Sequence, residues 1–469
     1  MSNKKKSIHS TENFGSKFGY IMVAAGAAIG LGNIWRFPYI AYGNGGGTFI
    51  LVYIIIAIVL AYPGVISEEA IGRATRGNAV TSFEMLNKKW GFAGWIMAIT
   101  TLLIDFYYLI VSGYVIKYTL AYAKAVFTGG TVGGADKVAY YQNFISDPVE
   151  PLIYGFFMIA ATGLVLIFGI TDLAEKICKV IMPGLILLLI ICGIWAVSIS
   201  PEARMGLKWY VLPDFSKLNM RTFADACMQI LFSVGIGWAI FITLGASLPD
   251  SSNMRSDAKW VVLLDSSVAL LAGFVIIPSV VGSGSELTSG PSLVFLSMTT
   301  IFEKFPGGTL IGLAFFMALV FAVFSTAFTI VEIPIKVVRE KYNVEPVKAV
   351  VIVSAIIAVF GTLCAWSQGH GILSHALLPW LDATGVSYYC IYDWVDLLSA
   401  YVGLPLGTLL CFIFVSRVWG YDNMNKELIK GGGKPISTWD KVTIGYLAPF
   451  CVIVVILHAF GIWDALGLV

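Results

Sequence analysis

The sequence predicts an all-α polytopic membrane protein: eleven transmembrane helices in a 5+5 inverted repeat, with helices 1 and 6 interrupted at the membrane midplane. Three observations predict it. Of 469 residues, 58% are hydrophobic and 12% charged, and the mean hydropathy of +0.84 lies far outside the range of a soluble globular chain. Eleven apolar stretches reach the roughly 20 residues that cross about 30 Å of hydrocarbon. Two of them, five spans apart, carry glycine clusters where an unbroken helix would be expected.

In chain order the stretches are 18–42, 47–72, 90–123, 151–170, 173–199, 223–248, 258–284, 308–340, 346–367, 391–420 and 439–466. The polar start, 1–17, is followed by no small-residue cleavage pattern, so it is expected to stay in the cytoplasm. The inner connections then hold Arg73, Arg76, Lys88 and Lys89; Lys176 and Lys179; Arg255 and Lys259; Lys336, Arg339, Lys341 and Lys348; and Arg417, Lys426, Lys430, Lys434 and Lys441. That is the positive-inside pattern. The connection 200–222 runs against it with Arg204, Lys208, Lys217 and Arg221. An odd number of spans puts the C-terminus outside. The expected organisation is a cytoplasmic segment 1–17, a first five-helix repeat 18–199, a second 223–420, and an eleventh helix with the C-terminus, 439–469. Short outer loops without N-glycosylation sequons point to a prokaryotic inner (plasma) membrane.

Several function classes are excluded. A formal net charge of +2 without a basic patch leaves no footprint for a nucleic acid. The seven cysteines are scattered and read as small core residues, and His9, His370, His375 and His458 are too dispersed for a metal centre. The run GGGKP at 431–435 follows no strand and lacks the Lys-Ser/Thr ending of a phosphate loop. No nucleophile–base pair occurs in the spans, so an enzyme is not expected. No connection is long enough to hold a soluble domain, and the activity must reside in the membrane core. The oligomeric state is not readable.

Backbone in hydrocarbon must satisfy its own hydrogen bonds, so a break in a spanning helix survives only where it is buried or lines a polar cavity. The candidates are GAAIGLGN at 26–33 and FSVGIGW at 232–238. Close helix packing is the bland alternative, since Gly26 and Gly30 form a GxxxG pair. Asn33 and Arg36 follow directly, however, and Gly235 and Gly237 punctuate the corresponding helix of the second half. Paired interruptions at matching positions point to a midplane binding site between inverted repeats, an architecture that the general rule takes as its own example.

At this point the residues are specific enough to name a family. AIGLGNIWRFPYIAYGNGGGTFILVY at 28–53 is similar to the signature of the neurotransmitter:sodium symporter family, in its bacterial amino-acid-transporting form. Supporting segments are ISEEAIGR at 66–73, FYYLIVSGY at 106–114, QILFSVGIGW at 229–238, DSSVALLAGFVIIP at 265–278, FAVFSTAFTIVE at 321–332 and YDWVDLL at 392–398. The resemblance implies a sodium-coupled secondary symporter working by alternating access, with two sodium sites beside an amino-acid substrate. The first would use Ala28, Asn33, Ser233, Asp265 and the substrate carboxylate; the second would use Gly26, Ile29, Ala322, Ser325 and Thr326. Chloride-dependent members carry Asn where this chain has Asp265, so the carboxylate, beside Tyr53, Gln229 and Ser233, implies chloride-independent transport. Proton antiport through Asp265 stays open.

Monoamine-carrying relatives have an aspartate at the place of Gly30; its absence favours a substrate with its own α-carboxylate, held near Leu31, Gly32 and Tyr108. The ammonium would meet the carbonyls of Ala28, Phe232 and Ser233. Ile104, Gly235, Trp238, Ser325, Thr329 and Ile330 complete the expected substrate pocket, which is apolar enough to favour a neutral, hydrophobic amino acid, with alanine or glycine open. Arg36 and Asp396 match the family's outer charged pair, Asp393 lies one turn away, and Glu68 and Gln229 support the broken backbones. Departures fall at Thr11, Glu12, Asn13 and Phe14 and around Leu244 and Ser247. These leave Glu340 without its usual arginine, Lys17 as the only substitute, and a looser inner closure as the expectation. A non-transporting sensor or channel-like protein on the same scaffold is the rival reading.

Overall fold

A computed structural model of the chain describes residues 13–285, 288, 290–374, 378–382 and 385–467. His9, Thr11, Glu12 and His375 lie outside the described residues. Among the described residues, ten helices are long and apolar enough to cross a membrane, and a bent pair counted as one span makes eleven. They are α1 (Lys17–Ala28 and Gly32–Gly43), α2 (Gly47–Thr75), α3 (Lys88–Thr128), α4 (Glu150–Ile167), α5 (Ile170–Ser198), α6 (Met220–Gly245), α7 (Met254–Ser283), α8 (Gly308–Lys341), α9 (Pro346–Trp366), α10 (Ile391–Trp419) and α11 (Thr438–Ala459). The all-α polytopic expectation holds. One addition is a short antiparallel hairpin between α9 and α10, β1 (Leu378–Asp382) and β2 (Gly385–Tyr389). A helix at Ala79–Leu86, capped by Asn78, also joins α2 to α3 inside what the apolar pattern left as a connection.

Position in the bundle follows from composition around each helix. In α6, 94% of the apolar window is buried, against 28% in α5. A helix that is apolar all round and buried belongs to the centre, whereas α5 turns Val180, Leu187, Ile190 and Ile194 outward to the lipid. α3 is likewise central, and α8 packs along it. The cysteines behave as small core residues: six are buried, Cys390 is partly exposed, and all are free thiols.

Both breaks have local causes. Ser16 caps α1 through the Gly19 amide at 3.0 Å, and the first segment ends where Ile29 turns extended; the helix resumes at Gly32 with a 57° bend. Pro38, in the second segment, cannot donate into the ladder, and a wide turn over Gly32–Arg36 precedes it. In α6 the helix runs to Gly235 and restarts at Ile240, with positive φ at Gly235 (79°), Gly237 (87°) and Ala239 (62°). The freed backbone is held by neighbours. Glu68 on α2 accepts from the Gly237 amide at 2.6 Å, and Thr408 on α10 donates to the Ile236 carbonyl at 3.1 Å. These bonds do for the break what an intact ladder would have done.

Candidate functional site

The two breaks face each other, and beside them a buried polar cluster is centred on Asp265 of α7. Asn33 Nδ2 donates to Asp265 Oδ1 at 2.7 Å and to its carbonyl at 3.2 Å; Ser233 Oγ lies 2.9 and 3.1 Å from the two carboxyl oxygens, and Tyr53 Oη lies at 3.4 Å. A carboxylate in hydrocarbon is tolerated only when donors surround it, and three side chains from α1, α2 and α6 do so here. The other end of the Asn33 amide, Oδ1, accepts from the Gly30 amide at 3.1 Å, and Gln229 Nε2 donates to the Gly32 carbonyl at 3.2 Å. Asn33, Ser233 and Asp265, expected around the first sodium, are thus one hydrogen-bonded group beside Ala28. Glu68 and Gln229, expected as supports, each bond a broken segment.

About the α1 break and α8 lies a second oxygen cluster. Thr326 Oγ1 is 3.1 Å from each of the Gly26, Ile29 and Ala322 carbonyls, and Ser325 Oγ is 3.0 Å from the Ala322 and Phe321 carbonyls. A hydroxyl has one proton, so it satisfies at most one of three carbonyls at a time. The rest form a convergence of oxygens suited to a hard cation. Close approach makes it possible: a Cβ on Gly26 would fall 2.7 Å from the Ser325 Cβ. All five residues expected for the second sodium are together.

Between the clusters is a cavity of about 20 Å³. Ala28, Gly30, Leu31, Gly32, Tyr108, Phe232, Gly235 and Trp238 line it, as expected, together with Ala27, Asn33, Ile240 and Thr326. The remaining candidates, Ile104, Ser233, Ser325, Thr329 and Ile330, are buried but outside its lining. A Cβ on Gly30 would sit 3.1 Å from Thr326 Oγ1 and 3.2 Å from Tyr108 Oη, so a side chain at this position would press on both hydroxyls. Among the described residues, neither Tyr108 Oη nor Trp238 Nε1 makes a hydrogen bond within the usual distance and angle. Such a volume holds a water-sized group, and anything larger requires a wall to move.

Phe232 lines both this cavity and a vestibule of about 450 Å³ on the Arg36 side. Its ring meets Trp238 edge to face at 5.7 Å, and the Arg36 guanidinium lies 5.0 Å above it and 5.9 Å from the Tyr401 ring. Arg36 and Asp396 line the same vestibule, yet among the described residues no ion pair joins them; the cation rests on aromatic faces instead. Asp393 does not line this vestibule; its carboxylate accepts from the Cys390 amide at 3.0 Å and caps the start of α10.

On the N-terminal side the structure corrects the expected pairing. Lys17 meets Asp257 at 3.3 Å and Ser256 at 2.9 Å, both on α7, rather than Glu340. Glu340 accepts from the Asn78 backbone amide and side chain at 2.8 and 3.0 Å, at the start of Ala79–Leu86. The segment before α1 is held by Glu175 of α5, through the Gly15 amide at 2.9 Å and Ser16 Oγ at 3.3 Å, with Lys179 at 2.6 Å on the same carboxylate. Phe14 donates its amide to Ser247 at 3.2 Å and packs edge to face on Tyr20, whose hydroxyl bonds Glu69. The segment before α1 is thus anchored by contacts other than the expected Lys17–Glu340 pair. Glu175 and Asp257 carry no motif and escaped the sequence reading. We expect Glu175→Ala to raise maleimide labelling of Cys178, buried one turn further along α5, several-fold in a background lacking the other cysteines; unchanged labelling would remove the latch.

Comparison with known proteins points the same way. The profile described as "SNF: Sodium:neurotransmitter symporter family" matches residues 11–129 and 150–466. The "Uncharacterized sodium-dependent transporter YhdH" of Bacillus subtilis is 30% identical over 452 residues, covering 95% of this chain and 97% of the relative. An "Uncharacterized sodium-dependent transporter" of Haemophilus influenzae is 31% identical over 459 residues, covering 96% and 97%. Among solved structures, that of MhsT in complex with L-phenylalanine superposes with a TM-score of 0.85 at 30% identity, covering 96% of this chain and all of that one.

Proposed function

The chain belongs to the sodium:neurotransmitter symporter family, and on that premise we propose that it is a two-sodium, chloride-independent symporter of a neutral, hydrophobic amino acid. Its relatives are sodium-dependent transporters, and an enzymatic role is set aside on that ground. The observation that carries the reading is the placement of two oxygen clusters, on Asp265 and on Thr326, either side of a cavity between two broken helices. The cycle follows from the parts. Sodium and the substrate carboxylate complete each other's shell beside Asn33 and Asp265, and the ammonium meets carbonyls freed at the breaks. The two halves, 18–199 and 223–420, then rock as inverted repeats about the site. Phe232 and Arg36 close the outer path, while the N-terminal segment on Glu175 opens the inner one. In this reading the N-terminus is cytoplasmic, the C-terminus is outside, and the membrane is a prokaryotic plasma membrane.

One charge crossing ~100 mV gains about 2.3 kcal/mol, and a roughly tenfold sodium gradient adds about 1.4. Two ions thus supply about 7.4 kcal/mol, enough for a substrate gradient of about five orders of magnitude, whereas one supports fewer than three. The substrate class rests on Gly30, on the Tyr108 hydroxyl beside it, and on likeness to a protein solved with L-phenylalanine.

Sodium-gradient-driven uptake into proteoliposomes, screened over neutral amino acids, tests the reading. Accumulation of at least one is expected; binding without accumulation would favour a sensor, and sodium current without solute would favour a channel. Thr326→Ala should raise the half-saturating sodium concentration at least about tenfold, because one ligand to a buried cation is lost. An unchanged sodium dependence would remove the second site.

A further inference from the structure

Three arginines of the connections that carry the positive-inside pattern are matched by acids. Arg73 meets Glu427 at 3.1 Å, Arg76 meets Asp250 at 2.6 Å and Arg255 meets Asp440 at 2.7 Å. Arg417, in the last turn of α10, and Lys441, near the start of α11, differ from these. Both are exposed, and among the described residues neither forms an ion pair; the carboxylate of Asp440, beside Lys441, is taken by Arg255. The two cations rest on aromatic faces instead. The Arg417 guanidinium lies 5.0 Å from the Tyr446 ring centroid, and the Lys441 ammonium 5.9 Å from that of Tyr421. Tyr421 is itself drawn against α11: its hydroxyl donates to the Lys441 carbonyl at 3.0 Å, and a Cβ on Gly445 would fall 2.6 Å from that hydroxyl oxygen. Glycine at 445 leaves the ring its place.

The surroundings decide what can answer this charge. Trp439, Val442, Tyr446, Phe450 and Ile453 are all exposed and recur at steps of three and four residues, so they form one outward stripe along α11. On a spanning helix such a stripe faces lipid. Tyr446 lies about 12 Å along α11 from Thr438, at a rise of about 1.5 Å per residue, so the guanidinium over its ring is held at the level of the lipid headgroups or deeper. A cation there is costly without a counter-charge, and the one at hand is lipid phosphate. We propose that Arg417 and Lys441, set on Tyr446 and Tyr421, bind the phosphate of an anionic phospholipid. The guanidinium fork takes two phosphate oxygens at once, the ammonium adds a point charge, and the ring faces steady both cations. A zwitterionic headgroup brings its own ammonium, which both cations repel, so the site selects for net negative lipid. The inference requires only that the chain spans a membrane and is independent of what it carries.

Mixed micelles of phosphatidylglycerol and phosphatidylcholine with identical acyl chains supply the test, the lipid retained by the purified chain being counted by native mass spectrometry. The wild type should retain phosphatidylglycerol over phosphatidylcholine by about fivefold or more. Arg417→Ala/Lys441→Ala should bring the ratio to within about twofold of parity, and Arg417→Lys/Lys441→Arg should keep most of the preference. Lys88→Ala/Lys89→Ala, which removes two exposed lysines from another connection, should match the wild type. A wild type without preference overturns the proposal, and so does an equal loss in both alanine pairs, since overall charge would then explain retention. Excess inorganic phosphate should leave the lipid in place; displacement would mark a soluble-anion site and overturn the proposal as well. Should the Arg417→Ala/Lys441→Ala chain fail to fold, the same ratio in Arg417→Gln decides. Uptake plays no part in this readout, so its presence or absence bears on the symporter reading alone.

Discussion

Asp265→Asn is expected to abolish uptake in chloride-free medium, a loss of two orders of magnitude or more, and to regain a measurable part of it when chloride is added. Asp265 is the negative partner of the proposed first sodium and also the acceptor on which Asn33, Ser233 and Tyr53 converge. The substitution keeps the shape and one acceptor oxygen but removes the charge, leaving a buried cation without compensation. Breaking a buried ionic partnership in this way costs about 3–5 kcal/mol, which is about two to four orders of magnitude in binding. The Tyr53 and Ser233 hydroxyls and the Asn33 amide would remain as donors around the vacated charge, a setting that an anion can occupy. The check is initial-rate uptake with gluconate against chloride, alongside equilibrium sodium binding. Undiminished chloride-free uptake by the variant would falsify the charge-compensation account.

The same residue illustrates what was legible beforehand. Asp265 stood out because an acid in an apolar span is expensive, and a single position on an otherwise apolar helix is visible in one dimension. The breaks at 26–33 and 232–238 were legible for a similar reason: glycines and an asparagine contradict a spanning helix, and the contradiction needs no partner to be seen. The second cluster required the family register, because Gly26, Ile29, Ala322, Ser325 and Thr326 join positions about 300 residues apart that share no pattern. The N-terminal latch was misread. Glu340 and Lys17 look complementary in sequence, but the acid is spent capping Ala79–Leu86, a helix too short and polar for the apolar pattern to register. Glu175 looked like an ordinary first-turn acid of α5, and only the folded chain brings Gly15 and Ser16 onto it.

Gly237→Ala should produce a chain that inserts into the membrane but neither transports nor binds sodium at normal affinity, with a lowered melting temperature in detergent. Two costs coincide at this position. Its φ of 87° is a left-handed conformation that costs an alanine roughly 1–2 kcal/mol. A Cβ there would fall 2.3 Å from Thr408 Oγ1 and 2.5 Å from the Leu404 carbonyl, and overpacking against backbone adds about 1–3 kcal/mol. The chain can relieve both only by shifting the Gly237 amide off Glu68 and the Ile236 carbonyl off Thr408, which are the bonds that hold the break open. The penalty is therefore paid at the site rather than spread through the bundle. Gly43 is the control: a Cβ on it meets nothing within 4 Å, so Gly43→Ala should leave melting and transport close to wild type. If Gly237→Ala transports at the wild-type rate, the non-helical turn at 235–239 is not required for turnover, and α6 works as a continuous helix.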